Sequence, residues 1–300
     1  MPAYDKQVIE HPSLYIVSFT KSKNLPCIIF VHGGPGLNCG VLEYLIEHEG
    51  IFDTLQFDLI LYDQRGCGRS KPAEKTVVHA DNVLDLEEVC RTANEKAHYE
   101  IAAIAGHSYG AKLLFDYFQY SGSTVPGIFI STAPSILTPR VKNLLLDLSY
   151  LKTIDRDQYQ TILEEFEGFS LEKIWELTER LAKVFQQNKA RPFFYWANLD
   201  WKDKVKAIQD SISLPINSQV FTSVRHDLYS KPEAYSVDID SISTSPHLWI
   251  NGFHDMVMDG PSALEKKHST TTLFFQSAHY PHIEEHEKFC GEVNAFLKKT

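Results

Sequence analysis

The stretch IAGHSYGAKL, residues 104–113, decides the fold. It places Ser108 midway between Gly106 and Gly110, after an apolar run and before a run with helical character. Glycines at both positions permit a sharp turn that larger side chains would obstruct. A G-x-S-x-G turn between a strand and a helix is typical of a nucleophilic serine held at the end of a sheet. The alternative interpretation is a packing turn built from small residues. The two are distinguished by whether the rest of the sequence supplies partners for a nucleophilic serine.

Composition narrows the classes of protein to consider. The chain has 300 residues, 43% of them hydrophobic and 23% charged, with a formal net charge of -10. Clustered Lys and Arg are missing, which disfavours a nucleic-acid partner. The five cysteines are scattered without a CxxC pair, so neither a disulfide framework nor a zinc site is predicted. No apolar run approaches the ~20 residues that span a bilayer. We expect a cytoplasmic protein with no signal peptide, membrane partner or cofactor.

Strand-like and helix-like segments alternate in the first part of the chain. Apolar runs that predict strands occupy residues 14–19, 27–31, 57–63, 101–105 and 127–131. Helices are predicted from about residue 81, where apolar residues recur at spacings of three and four, and over 111–120. Strands that are apolar throughout and are separated by helices indicate a parallel sheet covered on both faces.

Residues 134–245 follow a different pattern, with mostly helical periods such as that of 171–185. Strand-like runs return at 247–251 and 272–276, and a last helix is predicted over 283–297. We therefore predict an α/β core formed by 1–133 and 246–300. The middle region, 134–245, is predicted to be a helical insertion into that core.

A nucleophilic serine needs a base that removes its proton and an acid that orients the base. After a G-x-S-x-G serine, the acid and then the histidine are expected in chain order. Asp255, after the apolar run HLWI, is the predicted acid, and Asp259 is the alternative. His279 follows the last strand and suits a base on a loop, with His282 as its competitor. His286 is predicted to lie in the last helix. No acidic or cysteine ligand set accompanies these histidines, so no metal site is predicted.

Attack on a carbonyl creates an oxyanion that needs preorganised donors. The backbone N–H of Tyr109, directly after the serine, is one predicted donor. The other is expected from the turn HGGPG, residues 32–36, where Gly34 is favoured and Gly33 is the alternative. Neither this turn nor GCGRS, residues 66–70, has the spacing of a phosphate-binding loop.

Taken together, these motifs resemble the α/β-hydrolase fold and, more narrowly, the prolyl iminopeptidase group. The resemblance rests on HGGPG, DQRGCGRS (63–70), the segment Asp85–Glu87, the serine turn and the tail SAHYPHIEEHEKF (277–289). It implies an eight-stranded, mostly parallel sheet with helices on both faces and a helical cap, formed by 134–245, over the active site. It also implies that His279, the first histidine of the tail, is the base.

The resemblance also bears on the substrate. In the peptidases, glutamates of the cap hold the free amino group of the substrate. No matching motif identifies such a pair among the glutamates of the predicted cap, which are Glu164, Glu165, Glu167, Glu172, Glu176 and Glu179. The peptidases usually have glycine before the serine, whereas this chain has His107, and G-H-S-x-G is common in esterases.

The sequence therefore predicts a serine hydrolase that acts on a small molecule or a short peptide. Release of an N-terminal residue such as proline is the first hypothesis, and a carboxylesterase or lactonase is the second. A non-catalytic ligand receptor on the same fold is the third. Gly33 and His107 are candidate pocket residues. A group of aromatic residues is interpreted either as pocket lining or, preferably, as packing inside the cap: Phe193, Phe194, Tyr195, Trp196 and Trp201.

Overall fold

The computed structural model describes residues 4–21, 25–132, 137–165, 173–174, 176–178, 180–181, 192–231, 242, 245–258 and 270–300. An eight-stranded sheet runs through its centre in the order β1-β2-β4-β3-β5-β6-β7-β8. The strands are β1 (Asp5–Ile9), β2 (Tyr15–Thr20), β3 (Cys27–Val31), β4 (Asp58–Asp63), β5 (Ile101–His107), β6 (Gly127–Ile130), β7 (His247–Gly252) and β8 (Thr270–Phe275). β2 pairs antiparallel with both β1 and β4, and the pairs from β4 across to β8 are parallel. The predicted α/β fold with a mostly parallel sheet is confirmed.

Helices cover both faces of this sheet. Those in the first part of the chain are α1 (Gly40–Tyr44), which continues as a π-helical turn over Leu45–Glu49, α2 (His79–Glu95) and α3 (Tyr109–Ser121). Between β6 and β7 lie α4 (Leu137–Ile154), α5 (Arg156–Glu165), α6 (Pro192–Tyr195), α7 (Leu199–Ser211) and α8 (Ser218–Ser230). After β8 come α9 (Pro281–Glu284) and α10 (His286–Leu297).

The side chains of the central strands alternate between two apolar clusters, as the two-residue period of a strand requires. Ile29 of β3 packs with residues of α2 and α3, whereas its neighbour Ile28 packs with residues of α1 and α10. Strands buried on both faces explain why these runs are apolar throughout in the sequence. All five cysteines are free and buried within this interior.

Two elements differ from the sequence-based expectation. β1 had no apolar signal because its side chains are exposed or half-buried at the edge of the sheet. The last helix was expected to be continuous over 283–297, but it is divided into α9 and α10 by a break at Glu285, whose backbone φ of -128° is not helical.

The region between β6 and β7 is mostly helical where the structure describes it. Its own apolar cluster includes Leu144, Leu151 and Ile162, and the described positions of 171–185 are helical. The division of the chain into a core and a cap at 134–245 stays a prediction. None of the described helices is both long enough and apolar enough to cross a membrane.

Candidate active site

Ser108 occupies the sharp turn between β5 and α3. Its backbone has φ 54° and ψ -116°, a conformation that residues with a side chain rarely adopt and that costs free energy. A Cβ atom at Gly106 would lie 2.5 Å from the carbonyl oxygen of Gly110, and one at Gly110 would collide with the carbonyl oxygen of Val31. The serine is flanked by two glycines because a side chain at either position would prevent α3 from beginning against β5 and β3.

A cavity of about 430 Å³ contains Ser108 in its wall. The wall also includes most of the sequence-predicted site residues: Gly33, Gly34, His107, Tyr109, Phe194, Tyr195 and His279. Trp196 instead borders a neighbouring depression, and Trp201 packs at the edge of an apolar cluster. The side chain of Phe193 and all of Asp259 lie outside the described residues.

Asp255 and His279 come together because the chain segments after β7 and β8 lie against each other. Gly252 permits this approach, since a Cβ there would collide with the carbonyl oxygen of Ala278. The Oδ2 atom of Asp255 lies 2.9 Å from Nδ1 of His279, and both side chains are 3% exposed. A carboxylate and an imidazole that are 24 residues apart thus form a buried pair.

The surroundings of Asp255 favour its charged form. Burial by itself raises the pKa of this carboxyl group, but the His279 ring and the backbone N–H groups of Val257 and Met258 more than offset it, so the pKa lies below its usual value. Those two N–H groups donate to Oδ1 at 2.8 and 3.1 Å. A charged Oδ2 accepts the Nδ1 proton of His279, which leaves Nε2 of the ring free to act as a base.

Two further histidines surround the candidate base. Nε2–H of His107 donates to the backbone carbonyl of His279 at 2.7 Å, and the His107 ring centre is 4.6 Å from that of His282. Burial lowers the pKa of His107 well below its usual value and that of His282 to about 3. Both rings are therefore neutral near pH 7. The contact with a carboxylate supports His279 over His282. His286, at the start of α10, instead makes an edge-to-face contact with Trp201.

No hydrogen bond joins the hydroxyl of Ser108 to the His279 ring within the part of the chain that the structure describes. Contacts between a nucleophile and its base are often long in the absence of substrate. Ser108 and His279 nevertheless line the same cavity, so a substrate bound there would contact both.

One candidate oxyanion donor directly follows the serine, and the other belongs to the HGGPG turn that lines the same cavity. Tyr109 is the first residue of α3, a position whose backbone N–H is not used by the hydrogen bonds of the helix itself. A Cβ at Gly33 would be 3.1 Å from Cβ of Ser108, so the HGGPG turn packs directly against the serine turn. Gly34 has φ 59°, which glycine adopts without strain.

Sequence reasoning missed the polar residues that hold Tyr109. Its hydroxyl lies 3.0 Å from Nδ1 of His79 and accepts from the side-chain amide of Asn82 at 2.8 Å. His79 in turn contacts Asp116 at 2.6 Å. A histidine and an asparagine at the start of an amphipathic helix carry no sequence signal that separates them from surface residues.

The cavity wall also carries charged side chains that the sequence did not single out: Lys112, Asp147 and Arg225. Asp147 belongs to α4 and is 2% exposed. Of the cap glutamates considered above, Glu164, Glu165 and Glu176 are exposed and outside the cavity wall, and Glu167, Glu172 and Glu179 lie outside the described residues. Nothing in the local sequence distinguishes Asp147 from a solvated aspartate.

A family model described as alpha/beta hydrolase fold matches residues 26–286, and the chain belongs to this family. A proline iminopeptidase from Heyndrickxia coagulans is 27% identical over 295 residues, covering 90% of each chain. Among solved structures, a proline iminopeptidase-related protein from Thermus thermophilus superposes with a TM-score of 0.67 at 14% identity, covering 98% of this chain and 97% of that one. An esterase from Exiguobacterium antarcticum gives a TM-score of 0.61 at 16% identity, covering 99% and 100%.

Proposed function

We propose that this α/β hydrolase is a serine aminopeptidase that releases an N-terminal residue, such as proline, from short peptides. One observation carries the proposal of serine chemistry: His279, which is paired with the buried Asp255 at 2.9 Å, lines the same cavity as a serine held in a strained turn. Strain at a residue that faces a cavity is characteristic of functional sites.

In the proposed mechanism, Ser108 Oγ attacks the carbonyl carbon of the scissile bond while Nε2 of His279 takes the hydroxyl proton. Asp255 stabilises the imidazolium, and the N–H groups of Tyr109 and Gly34 bind the oxyanion. The tetrahedral intermediate collapses when His279 returns that proton to the leaving amine. Water, deprotonated by His279, then cleaves the acyl-enzyme and regenerates the Ser108 hydroxyl.

The preference for an aminopeptidase rests on Asp147 together with the proline iminopeptidase relatives. The Asp147 carboxylate is almost fully buried in the wall of a largely apolar cavity. Lys112 and Arg225 also line this wall, but an acidic side chain there can accept hydrogen bonds from a cation that enters the cavity, and charges interact more strongly where water is excluded. The free amino group of a peptide substrate would supply that cation. Asp147 would thus take the role that cap glutamates have in the peptidases this chain resembles.

A carboxylesterase is the second candidate. His107 before the serine favours it, because G-H-S-x-G is common in esterases, and the apolar wall, with residues such as Leu37, Ile212 and Phe221, suits an acyl chain. The esterase from Exiguobacterium antarcticum has the same fold.

Hydrolysis of three substrates tests both candidates: a fluorogenic proline amide, the same amide with its amino group acetylated, and a short-chain nitrophenyl ester. Ser108→Ala should abolish all enzymatic cleavage. We expect cleavage of the free amide and not of the acetylated one. Asp147→Asn should raise KM for the free amide and leave ester cleavage unchanged, with the exposed Asp157→Asn as the matched control. Cleavage of the ester alone would favour the carboxylesterase and refute the aminopeptidase.

A further inference from the structure

The loop that carries the candidate base is attached to the junction between α6 and α7. We call residues 276–280 the histidine loop and residues 195–198 the α6–α7 junction. The backbone N–H of His279 donates to the carbonyl of Tyr195 at 3.0 Å. The Trp196 ring stacks on Tyr280, with ring centres 4.2 Å apart and planes 17° apart. The Tyr195 side chain lines the cavity, so the junction contacts the base and also forms part of the wall.

Glu284, at the end of α9, joins the same two segments through its carboxylate. Its Oε2 accepts from the backbone N–H groups of Ala197 at 2.9 Å and Asn198 at 2.7 Å. Its Oε1 accepts from the backbone N–H of Ala278, the residue directly before His279, at 2.9 Å. One side chain therefore holds the junction with one oxygen and the histidine loop with the other.

Holding both segments at once requires a carboxylate. Both oxygens of an ionised carboxyl group accept hydrogen bonds, and bonds to a charged acceptor are stronger than neutral ones. A glutamine side chain has a single acceptor oxygen, and its amide nitrogen cannot accept from an N–H group. Replacing Glu284 by Gln therefore keeps the attachment to one segment and breaks the attachment to the other.

We propose that Glu284 is a positioning residue that ties the α6–α7 junction to the histidine loop, so that the orientation of the base and the aromatic wall of the cavity are set together. The proposal rests on the proposed function because it takes His279 as the base of Ser108. Glu284 does not contact the reacting atoms. Its effect passes through the backbone N–H of Ala278, directly before His279, and through the junction, where the Tyr195 carbonyl accepts from the N–H of His279.

Reactivity of Ser108 toward a fluorophosphonate probe tests the proposal without assuming a substrate. The variants are Glu284→Gln, Trp196→Ala, which removes the stack on Tyr280, and the double variant. Glu287→Gln, at an exposed carboxylate of α10, is the matched control. Rates are measured below the melting temperature of every variant, so that they refer to folded protein.

We expect Glu284→Gln to slow labelling by about tenfold, because hydrogen bonds to a charged group are lost on one side of the base. Trp196→Ala should slow it too, and the double variant should be little slower than the slower single variant, because both changes release the same junction. Glu287→Gln should react at the wild-type rate. A wild-type labelling rate in Glu284→Gln accompanied by a lower melting temperature would mean a purely structural role and overturn the proposal. Effects that multiply in the double variant would also overturn it.

Hydrogen exchange separates this proposal from the proposed function. Glu284→Gln should speed amide exchange in peptides covering residues 195–198 and 276–280 together. Unchanged exchange in both peptides would refute the tie between them, whatever the reactivity of Ser108. A third outcome is faster exchange in both peptides of the variant while the wild-type protein never reacts with the probe. That outcome would refute the serine chemistry and, with it, the positioning of a base.

Discussion

Replacement of Asp255 by asparagine is the sharpest test of the candidate site, because the structure dictates how the amide must lie. The N–H groups of Val257 and Met258 both point at Oδ1 of Asp255. In Asp255→Asn the amide oxygen has to face these two donors, which directs the NH₂ group at Nδ1 of His279. Nδ1 must then accept, so the ring proton moves to Nε2, and the base can no longer take the proton of Ser108.

The size of the effect follows from the cost of turning the amide around. The reversed amide would restore the Nδ1–H tautomer but leave two buried N–H groups facing NH₂, at about 1–3 kcal/mol each. The productive arrangement thus lies roughly 2–6 kcal/mol higher, which lowers its population by roughly 30-fold to 2 × 10⁴-fold. Loss of the negative charge that stabilises the imidazolium adds to this. We expect kcat to fall by about 10³-fold to 10⁴-fold, since the same change in the triad of a serine protease lowers kcat by about 10⁴-fold.

The assay is steady-state hydrolysis of whichever substrate wild type cleaves in a Ser108-dependent manner, together with the fluorophosphonate labelling rate. Because the side chain keeps its shape, the melting temperature should change little, which separates lost catalysis from lost folding. Asp259→Asn is the control, since Asp259 is the other acid that the sequence offers. A loss of less than tenfold in Asp255→Asn, or a larger loss in Asp259→Asn, would refute the assignment of Asp255.

Three further predictions concern the surroundings of the site. His107→Gly removes the donor to the His279 carbonyl. It should lower kcat by about 3- to 10-fold, which corresponds to the net free energy of one hydrogen bond, with little change in KM. His107→Gln retains a donor and should recover part of the loss, so equal rates for the two variants would contradict this role. Gly110→Ala drives a Cβ into the carbonyl of Val31 and should cost about 1–3 kcal/mol of unfolding free energy, measured by urea denaturation; a cost near zero would exclude the close contact. His282 has a pKa of about 3 when folded and therefore gains a proton on unfolding below pH ~6.5. As the pH falls from ~6.5 to ~3, the unfolding free energy should decrease by about 1.4 kcal/mol per pH unit. His282→Phe should lose this component in melting curves recorded against pH, and an unchanged pH dependence would refute it.

The central strands and the serine turn were predictable because their signals are local. β3 occupies the residues predicted for it, 27–31, since a strand buried on both faces has to be apolar at every position. The serine turn carries its own glycine requirement within five residues. β1 was not predictable, because an exposed edge strand is held by backbone hydrogen bonds to β2 that no side-chain pattern records. The break at Glu285 was missed because apolar spacing continues across it.

The polar residues around the site were hard to find for a different reason. Asp147 and Glu284 look like solvated carboxylates in the sequence, and their roles depend on which backbone or cavity they meet after folding. Trp196 was grouped with the pocket aromatics, yet it stacks on Tyr280 of the histidine loop. Contacts across long separations in the chain decide such roles, and amino-acid type alone does not encode them.

The sequence by itself determined the α/β class, the chain order of the candidate residues and the turn that holds Ser108, because each depends on the period of apolar residues or on glycine at a few adjacent positions. Only the tertiary structure decided which of the tail histidines meets a carboxylate. That choice depends on the close approach of Gly252 to Ala278, which brings Asp255 to His279 and leaves His282 neutral in an apolar setting. The free energy of burying a charge depends on its neighbours in space, and these are not defined until the chain has folded.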